Sequence, residues 1–407
     1  MKILLFFGNG SFIDSFGGAE RVACNMANEF VQRGHAITIV CNDIKGGTAA
    51  YPLDERVRLI NLNGTGKKIF QLTKKEKWYR ELIRPLRFFY PPLLKDHFDI
   101  LIWRTALKPL RQILEQEQAD VIIPFFCTDS VLLAQCGFDR PTPRVQMLHD
   151  SPKHIKLGNR NVRRAIQKCD TVQVLLPEFK EDLRRHYKGN IVVIPNVISP
   201  SLYHTEYRDS EKGRIIHIGR LDVKQKRQHL LINAFAKVAG DFPNWTLHFF
   251  GNETTRGYHK YLTKLILKYN LQKRIFLEGA TQTPDLKLAN SDIFAFPSSH
   301  EGFSLALLEA MAVGLPCLGF KTTASVKDLI QDEKNGLLVD ETPVAFANGL
   351  RQLMSNPELR KRLGEAGREF AKQYEPKVIW DSWEKLLSQV VADANPCKDK
   401  TNKEGML

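Results

Sequence analysis

Two carboxylates stand eight residues apart in the run Pro297-Ser298-Ser299-His300-Glu301-Gly302-Phe303-Ser304-Leu305-Ala306-Leu307-Leu308-Glu309-Ala310-Met311-Ala312, with no other charge between them. The pattern reads as a strand ending at Phe296, a short loop carrying Glu301 and Gly302, and a helix over Ser304–Ala312 that Ser304 should cap. The first N–H groups of a helix have no partner inside it. Those of Phe303, Ser304 and Leu305 are therefore expected to form an anion site next to Gly302. Glu309 lies about a turn and a half further along, at ~1.5 Å per residue. From there a carboxylate can accept both hydroxyls of a ribose whose phosphates rest on the helix start. Glu301 would sit where the hydroxyls of a hexose beyond those phosphates lie. A surface glutamate that merely favours helix is the plainer account of Glu309, and the apolar setting speaks against it.

A second group, Ile218-Gly219-Arg220-Leu221-Asp222-Val223-Lys224-Gln225-Lys226-Arg227, follows a strand and opens another helix. Gly219 lets backbone come close to a ligand. Arg220 and one of the lysines after it can meet a diphosphate, the arginine through its planar fork and the lysine as a point charge. Departure of a nucleoside diphosphate builds negative charge on its oxygens. Two fixed cations stabilise that charge and do the work of an acid or a metal. Alone, this group would equally describe a glycine turn with surface basic residues.

Alternating strands and helices must hold these loops. Strands are expected at Lys2–Phe7, Ala36–Cys41, Val57–Asn61, Asp120–Phe126, Arg144–His149, Thr171–Leu176 and Asn190–Pro195. The series restarts at Arg214–Ile218, Trp245–Phe250, Arg274–Glu278, Asp292–Phe296, Pro316–Gly319 and Gly336–Val339. Helical patterns lie between, among them Ala19–Arg33, Glu178–Tyr187 and Gln228–Ala239. Such alternation means parallel sheets covered on both faces. The fold class is α/β, with two doubly wound domains and nucleotide chemistry at the carboxyl ends of strands facing a cleft. A chain of 407 residues, 43% hydrophobic and 26% charged, has length and apolar content for two cores. The polar stretch Ser199–Lys212 is the natural linker, and the polar end Ala394–Leu407 should fray.

Seven scattered cysteines, with no CxxC pair and no histidine cluster, argue for reduced thiols and a cytoplasmic protein. The apolar start Met1–Phe7 is too short for a signal peptide, and no stretch approaches the ~20 apolar residues that span a bilayer. The net charge of +14 is concentrated. Lys67–Lys95 carries nine basic residues against Glu76 and Glu81, interleaved with aromatics that include Trp78, Tyr79, Phe88, Phe89 and Tyr90. Pro85 should kink any helix through this segment and Pro91-Pro92 should end it. A second group, Lys153, Lys156, Arg160, Arg163, Arg164 and Lys168, holds no acid. Basic segments with aromatics fit an anionic membrane surface, and a solvated helix over the first domain's own core fits as well. No nucleic-acid motif accompanies the charge, so nucleic acid is not expected as a partner.

At these residues the sequence resembles the family-4 retaining glycosyltransferases of the GT-B fold, over nearly its whole length. The shared features are Gly17-Gly18-Ala19-Glu20 before the first helix, His149-Asp150, Ile194-Pro195-Asn196-Val197, Gly219-Arg220-Leu221 with a following lysine, and the run from Glu301 to Pro316. The resemblance implies two Rossmann-like domains: residues 1–198 on the acceptor side, 199–374 binding the nucleotide sugar, a helix over 375–393 crossing back, and a tail over 394–407. It implies that Arg220 and Lys226 hold the diphosphate, Glu309 the ribose and Glu301 the donor sugar. Gly17 and Gly18 would approach the phosphates, and His149 would lie near the sugar. The family's lysine-glycine is replaced here by Lys224-Gln225-Lys226-Arg227, one residue longer. Lys226 is preferred because it leads directly into the helix, with Lys224 as the alternative.

The implied reaction is metal-independent transfer of a hexose from a nucleotide diphosphate, UDP ahead of GDP, to a glycan or lipid-linked acceptor, with same-face attack. Catalysis would rest on His149, Glu301, Arg220 and Lys226, with no cofactor. Donor binding would add Gly302, Phe303, Ser304, Leu305 and Glu309. The absent Asp-x-Asp removes the metal signature of the alternative GT-A architecture. The setting would be cytoplasmic, on the inner face of a membrane. A sugar-nucleotide 2-epimerase of the same fold and a non-catalytic partner of a transferase are the rival readings.

Overall fold

The computed structural model describes residues 1–8, 12–13, 17–43, 46–62, 74–83, 106–138, 141–152, 155, 160–198, 202 and 213–394. The expected linker, apart from residue 202, lies outside them, as do the tail beyond Ala394 and all of Lys67–Lys95 except residues 74–83. The chain forms two compact units, Met1–Pro195 with Trp380–Leu407, and Asn196–Ile379.

In the first unit the order is β1 (Lys2–Phe7), α1 (Gly18–Gln32), β2 (Ala36–Cys41), β3 (Arg58–Asn61), α2 (Lys74–Ile83), α3 (residues 106–117), β4 (Val121–Pro124), α4 (Cys127–Gln135), β5 (Val145–Met147), α5 (Arg160–Ile166), β6 (Thr171–Val174), α6 (Pro177–Arg184) and β7 (Asn190–Val193). Strands pair in parallel as β3-β2-β1-β4 and β5-β6-β7. A bridge between Ile122 and Arg144 joins the two sets. The continuous apolar runs Ile3–Phe7 of β1 and Val121–Pro124 of β4 are wholly buried, as strands covered on both faces must be. The start of the chain is therefore a central strand. From Trp380 onward the last helix, α14 (Pro376–Ala394), belongs to this unit. Trp380 meets Phe30 edge-on at 5.9 Å, and Trp383 and Leu387 are buried. Arg33 on the α1 side reaches both Asp381 and Glu384 at 2.7 Å. Those carboxylates are half-exposed, so the buried tryptophans carry most of the docking energy.

The second unit runs β8 (Arg214–Ile218), α7 (Gln228–Val238), β9 (Thr246–Phe250), α8 (Tyr258–Lys268), β10 (Ile275–Gly279), α9 (Pro284–Ala289), β11 (Ile293–Phe296), α10 (Leu305–Val313), β12 (Cys317–Phe320), α11 (Ala324–Leu329), β13 (Leu337–Val339), α12 (Pro343–Ser355) and α13 (Pro357–Ala371). All its strands are parallel, ordered β10-β9-β8-β11-β12-β13. Ile215, Leu247, Phe249, Ile293, Leu318 and Phe320 from the sheet meet Leu231, Phe235 and Leu350 from α7 and α12. Helix α10 is apolar all round apart from Glu309 and is largely buried, as a helix with no polar face must be.

One device fixes register three times. An aspartate just before a strand accepts from the first backbone N–H of the neighbouring strand or its approach: Asp120 from Lys2 at 2.8 Å, Asp170 from Arg144 at 2.8 Å, and Asp292 from Arg214 at 2.6 Å. The backbone N–H of each aspartate bonds back to the carbonyl of the same partner. In the second unit the pair Asp292–Arg214 aligns β11 with β8, where the strand order reverses. A doubly wound sheet binds ligands at the carboxyl ends of its strands at this point.

Close backbone contact shapes that end of the sheet. Gly251, just after β9, has φ +152°, and a Cβ there would overlap the carbonyl of Gly219 just after β8. Gly251→Ala should therefore lower the melting temperature by about 5 °C or more, through strain and displacement of the Gly219 carbonyl. Gly240→Ala, where the added methyl meets open space, should be neutral or slightly stabilising. Thermal unfolding of both variants checks this, and an unchanged Gly251→Ala would mean that the Gly219 turn yields at no cost.

Candidate functional site

The loops after β8 and β11 meet through side chains. Lys226 Nζ donates to Glu301 Oε1 at 2.5 Å, with both side chains largely buried, and lies 5.0 Å from the centre of the Phe296 ring. Gln225 completes the junction. Its Nε2 donates to the His300 carbonyl at 3.2 Å and approaches Glu301 Oε2 at 3.4 Å, while its Oε1 accepts from Arg220 at 3.3 Å. Arg220 itself is exposed, as is Lys224. Of the two candidate lysines, Lys226 is thus the one brought to Glu301. Lys224 contributes its backbone, donating through N–H to Asp222 at 2.9 Å and accepting from Ser299 Oγ at 2.8 Å.

The extra residue in this loop has a conformational counterpart. Arg227 has φ 49° and ψ 41°, in the left-handed region that favours glycine. A glycine would sit there without strain, as in the lysine-glycine that the resemblance leads one to expect with its lysine at position 226. Three contacts offset the strain: an ion pair to Glu341, a hydrogen bond from Nε to the Pro297 carbonyl at 3.1 Å, and stacking over Phe320. The Thr322 hydroxyl, and then the pairing with Arg227, hold the Glu341 carboxyl below its usual range.

Beneath the turn lies His217, fully buried on β8. Its Nδ1 bonds the Ala295 carbonyl on β11 at 2.9 Å, and its Nε2 faces Gln228 Nε2 at 3.3 Å. The same amide nitrogen donates to the Arg220 carbonyl at 2.8 Å. A carbonyl can only accept, so the amide orientation is fixed, Nε2 of the histidine accepts, and the proton sits on Nδ1. Burial, and then the charge of Lys226, pushes the imidazole pKa down to about 3. A Cβ on Gly219 would press on His217 and on the stem of Lys226, so the glycine gives the lysine its path.

The helix start differs from the expectation in two respects. Ser304 occupies the cap position but makes no capping bond; its hydroxyl pairs with Ser325 at 2.8 Å in a buried contact. The Leu305 N–H is not free, because it donates to the Phe303 carbonyl at 2.8 Å. Ser304, at φ −79° and ψ 68°, is the centre of an inverse γ-turn, which closes that short bond. Among the described residues no protein acceptor faces the N–H groups of Gly302, Phe303, Ser304, Ala306 or Leu307. Of the three N–H groups expected to be free at the helix start, those of Phe303 and Ser304 therefore remain so and that of Leu305 does not. Phe303 is buried with its ring 5.8 Å from Tyr374, and Glu309 is buried on α10.

The remaining expected residues lie in the first unit. Gly17 is the residue before α1, and the carboxylate of Glu20 fills the space that a Cβ there would need, whereas Gly18 faces open space. His149 follows β5 and stacks on Phe125 at 5.2 Å; its Nε2 is buried without a partner, and burial lowers its pKa to about 4. Sequence reasoning missed Gln225, His217 and Gln228. The only signal of the first was its place inside the one-residue insertion. A histidine in a strand reads as core, and its partner Gln228 is eleven residues away.

Two family models match the chain: one described as Glycosyl transferases group 1 over residues 205–370, and one described as Glycosyltransferase Family 4 over residues 16–202. An uncharacterized glycosyltransferase of Haemophilus influenzae is 25% identical, covering 95% of this chain and 99% of that protein. The poly(ribitol-phosphate) alpha-N-acetylglucosaminyltransferase of Staphylococcus aureus is 28% identical over 54% of this chain, which spans 44% of that relative. Among solved structures, Anabaena Alr3699/HepE in complex with UDP superposes with a TM-score of 0.72 at 20% identity, covering 96% of this chain and all of that one.

The buried His217 makes stability depend on pH in a definite direction. Its folded pKa of about 3 lies below the ~6.5 of an exposed histidine. Below pH ~6.5 the unfolded chain binds a proton that the folded protein refuses, so this contribution is fully present above that pH and is lost as pH falls toward 3. The steepest loss is ~1.4 kcal/mol per pH unit. Urea midpoints between about pH 7 and pH 4.5 should fall less steeply for His217→Asn than for the wild type, by about one proton. Equal slopes would show that His217 takes up a proton in the folded state.

Proposed function

Because the chain belongs to the family-4, group-1 glycosyltransferases of the GT-B fold, we propose that it moves a hexose-type sugar from a uridine diphosphate donor to a hydroxyl of a cell-surface glycan or glycolipid, with retention and without a divalent cation. The observation that carries this reading is the Lys226–Glu301 pair, set beside Arg220 and the start of α10 at the switch point of the second sheet. The UDP bound by the Anabaena neighbour favours uridine over guanosine. The poly(ribitol-phosphate) named for the Staphylococcus aureus relative and the lipopolysaccharide outer core named for a structural neighbour favour such an acceptor. Among the described residues no helix is long and apolar enough to cross a membrane, and the reading places the protein on the inner face of one.

The chemistry follows from the charges. An ammonium has three donors. Glu301 engages one, and arriving diphosphate oxygens take the others together with the Arg220 fork and the N–H groups around the γ-turn. As the bond to the anomeric carbon breaks, charge grows on the departing oxygen and these groups meet it without reorganising. The acceptor hydroxyl attacks from the same face, and the leaving phosphate oxygen takes its proton. Glu301 Oε2, approached among the described residues by Gln225 at 3.4 Å, accepts a sugar hydroxyl, while Glu309 accepts from the ribose. His149, Gly17 and Gly18 keep the roles that the resemblance implies.

The two glutamates should separate by role in steady-state kinetics run in EDTA. Glu309→Gln should raise donor KM with kcat little changed, because the ribose contact is equal in ground and transition states. Glu301→Gln should lower kcat by about 100-fold. Calorimetric UDP binding should hold or tighten in Glu301→Gln, since Lys226 loses a competing carboxylate, and weaken in Glu309→Gln. The reverse pattern would place the donor the other way along the helix. Loss of transfer in EDTA restored by manganese would end the metal-free account, and a new sugar nucleotide formed without acceptor would make the protein an epimerase.

A further inference from the structure

Gln225 is held in the loop after β8 by its backbone. Its N–H donates to Asp222 Oδ1 at 2.7 Å, and its carbonyl accepts from the Ser299 N–H at 2.9 Å. These two bonds fix the loop against the one after β11 without help from the side chain. That side chain is half-buried and lies between two charges. Its Nε2 reaches the His300 carbonyl at 3.2 Å, and a carbonyl can only accept, so Oε1 is the atom that faces Arg220 at 3.3 Å. The second N–H of the same nitrogen is turned to Glu301 Oε2 at 3.4 Å. An exposed guanidinium and a buried carboxylate are thereby held apart by the width of one amide group.

Opposite charges set so near each other would be expected to meet. A guanidinium fork and a carboxylate match in geometry and make one of the strongest side-chain contacts. Direct contact would occupy the fork of Arg220 together with Oε2 of Glu301, the oxygen that Lys226 leaves. We propose that Gln225 is a positioning residue that acts as a neutral spacer, keeping Arg220 off Glu301 so that each stays open to the donor. An amide suits this task, since it offers an acceptor to the cation and a donor to the anion and neutralises neither. Its three bonds lie at or beyond the long end of the ordinary range, as befits contacts that give way when a charged ligand arrives. The use of the spacer rests on the transferase reading, in which the fork meets the diphosphate and Oε2 meets the sugar.

A ligand-free crystal structure of Gln225→Ala tests the spacer directly, and calorimetric titration with UDP tests its use. In the crystal, Arg220 should come within ~3 Å of Glu301 Oε2. In solution, Gln225→Ala should bind UDP ~10-fold more weakly than wild type. Adding Glu301→Gln should bring that affinity to within about threefold of Glu301→Gln alone, because the competing carboxylate is gone. A merely structural role for Gln225 would not be repaired by a second change at Glu301. Gln225→Glu carries its own carboxylate to Arg220, so it should weaken UDP binding at least as much, and Glu301→Gln should not restore it. The proposal is overturned by Gln225→Ala binding UDP as wild type, by a loss that Glu301→Gln leaves in place, or by an Arg220 that stays clear of Glu301 in the crystal. A wild type that binds no UDP would count against the donor reading, and the crystal would still decide the spacer.

Discussion

Lys226 and Glu301 put two opposite charges in a place where water hardly reaches. Moving either into such a setting costs several kcal/mol, and their attraction offsets this only if geometry and neighbouring hydrogen bonds are good. Here the neighbours are specific. Gln225 ties Glu301 to the loop after β8, Phe296 lies under the lysine, and His217 with Gln228 fixes the Gly219–Arg220 turn from below. An apolar pair of similar volume would stabilise the fold as well or better. Under the proposed function, what the ion pair supplies is a cation already desolvated and aimed, with donors to spare for an arriving anion.

The architecture follows from that need. A parallel sheet brings its carboxyl-terminal loops to one edge, and reversal of strand order between β8 and β11 opens a place there between two loops. The Asp292–Arg214 device holds these two strands in register, and Gly251 lets the Gly219 turn lie flat against the next strand's exit. The strained Arg227 ends the loop and braces it across three strand ends, reaching Pro297 after β11, Phe320 on β12 and Glu341 after β13. A small loop carrying several charges thus keeps one geometry.

Much of this was legible in the sequence, because strands buried on both faces read as plain apolar runs. β1, β2 and β8 have the expected limits, and other strands differ by one or two residues at their ends. The approach of Lys226 to Glu301 was not legible. The two roles were assigned separately, to phosphate and to sugar, and only folding shows that the side chains meet. The γ-turn at Ser304 was hidden as well, since a serine before a helix reads as a cap, and its hydroxyl instead finds Ser325 on another helix. Residues such as Gln225 and Gln228 act through backbone carbonyls, and carbonyls leave no mark in a sequence.

The central claim is that Lys226, with Glu301 beside it, is a preformed receptor for the second phosphate of a nucleoside diphosphate. Calorimetric titration with uridine monophosphate and diphosphate measures that phosphate directly, in wild type, in Glu301→Gln, and in the double variant Lys226→Met with Glu301→Gln, which leaves no buried charge unpaired. The account predicts that the diphosphate binds ~10- to 100-fold more tightly than the monophosphate in the first two proteins, and that the advantage nearly vanishes in the third. A double variant that keeps the full advantage would contradict it, and would place the diphosphate away from Lys226.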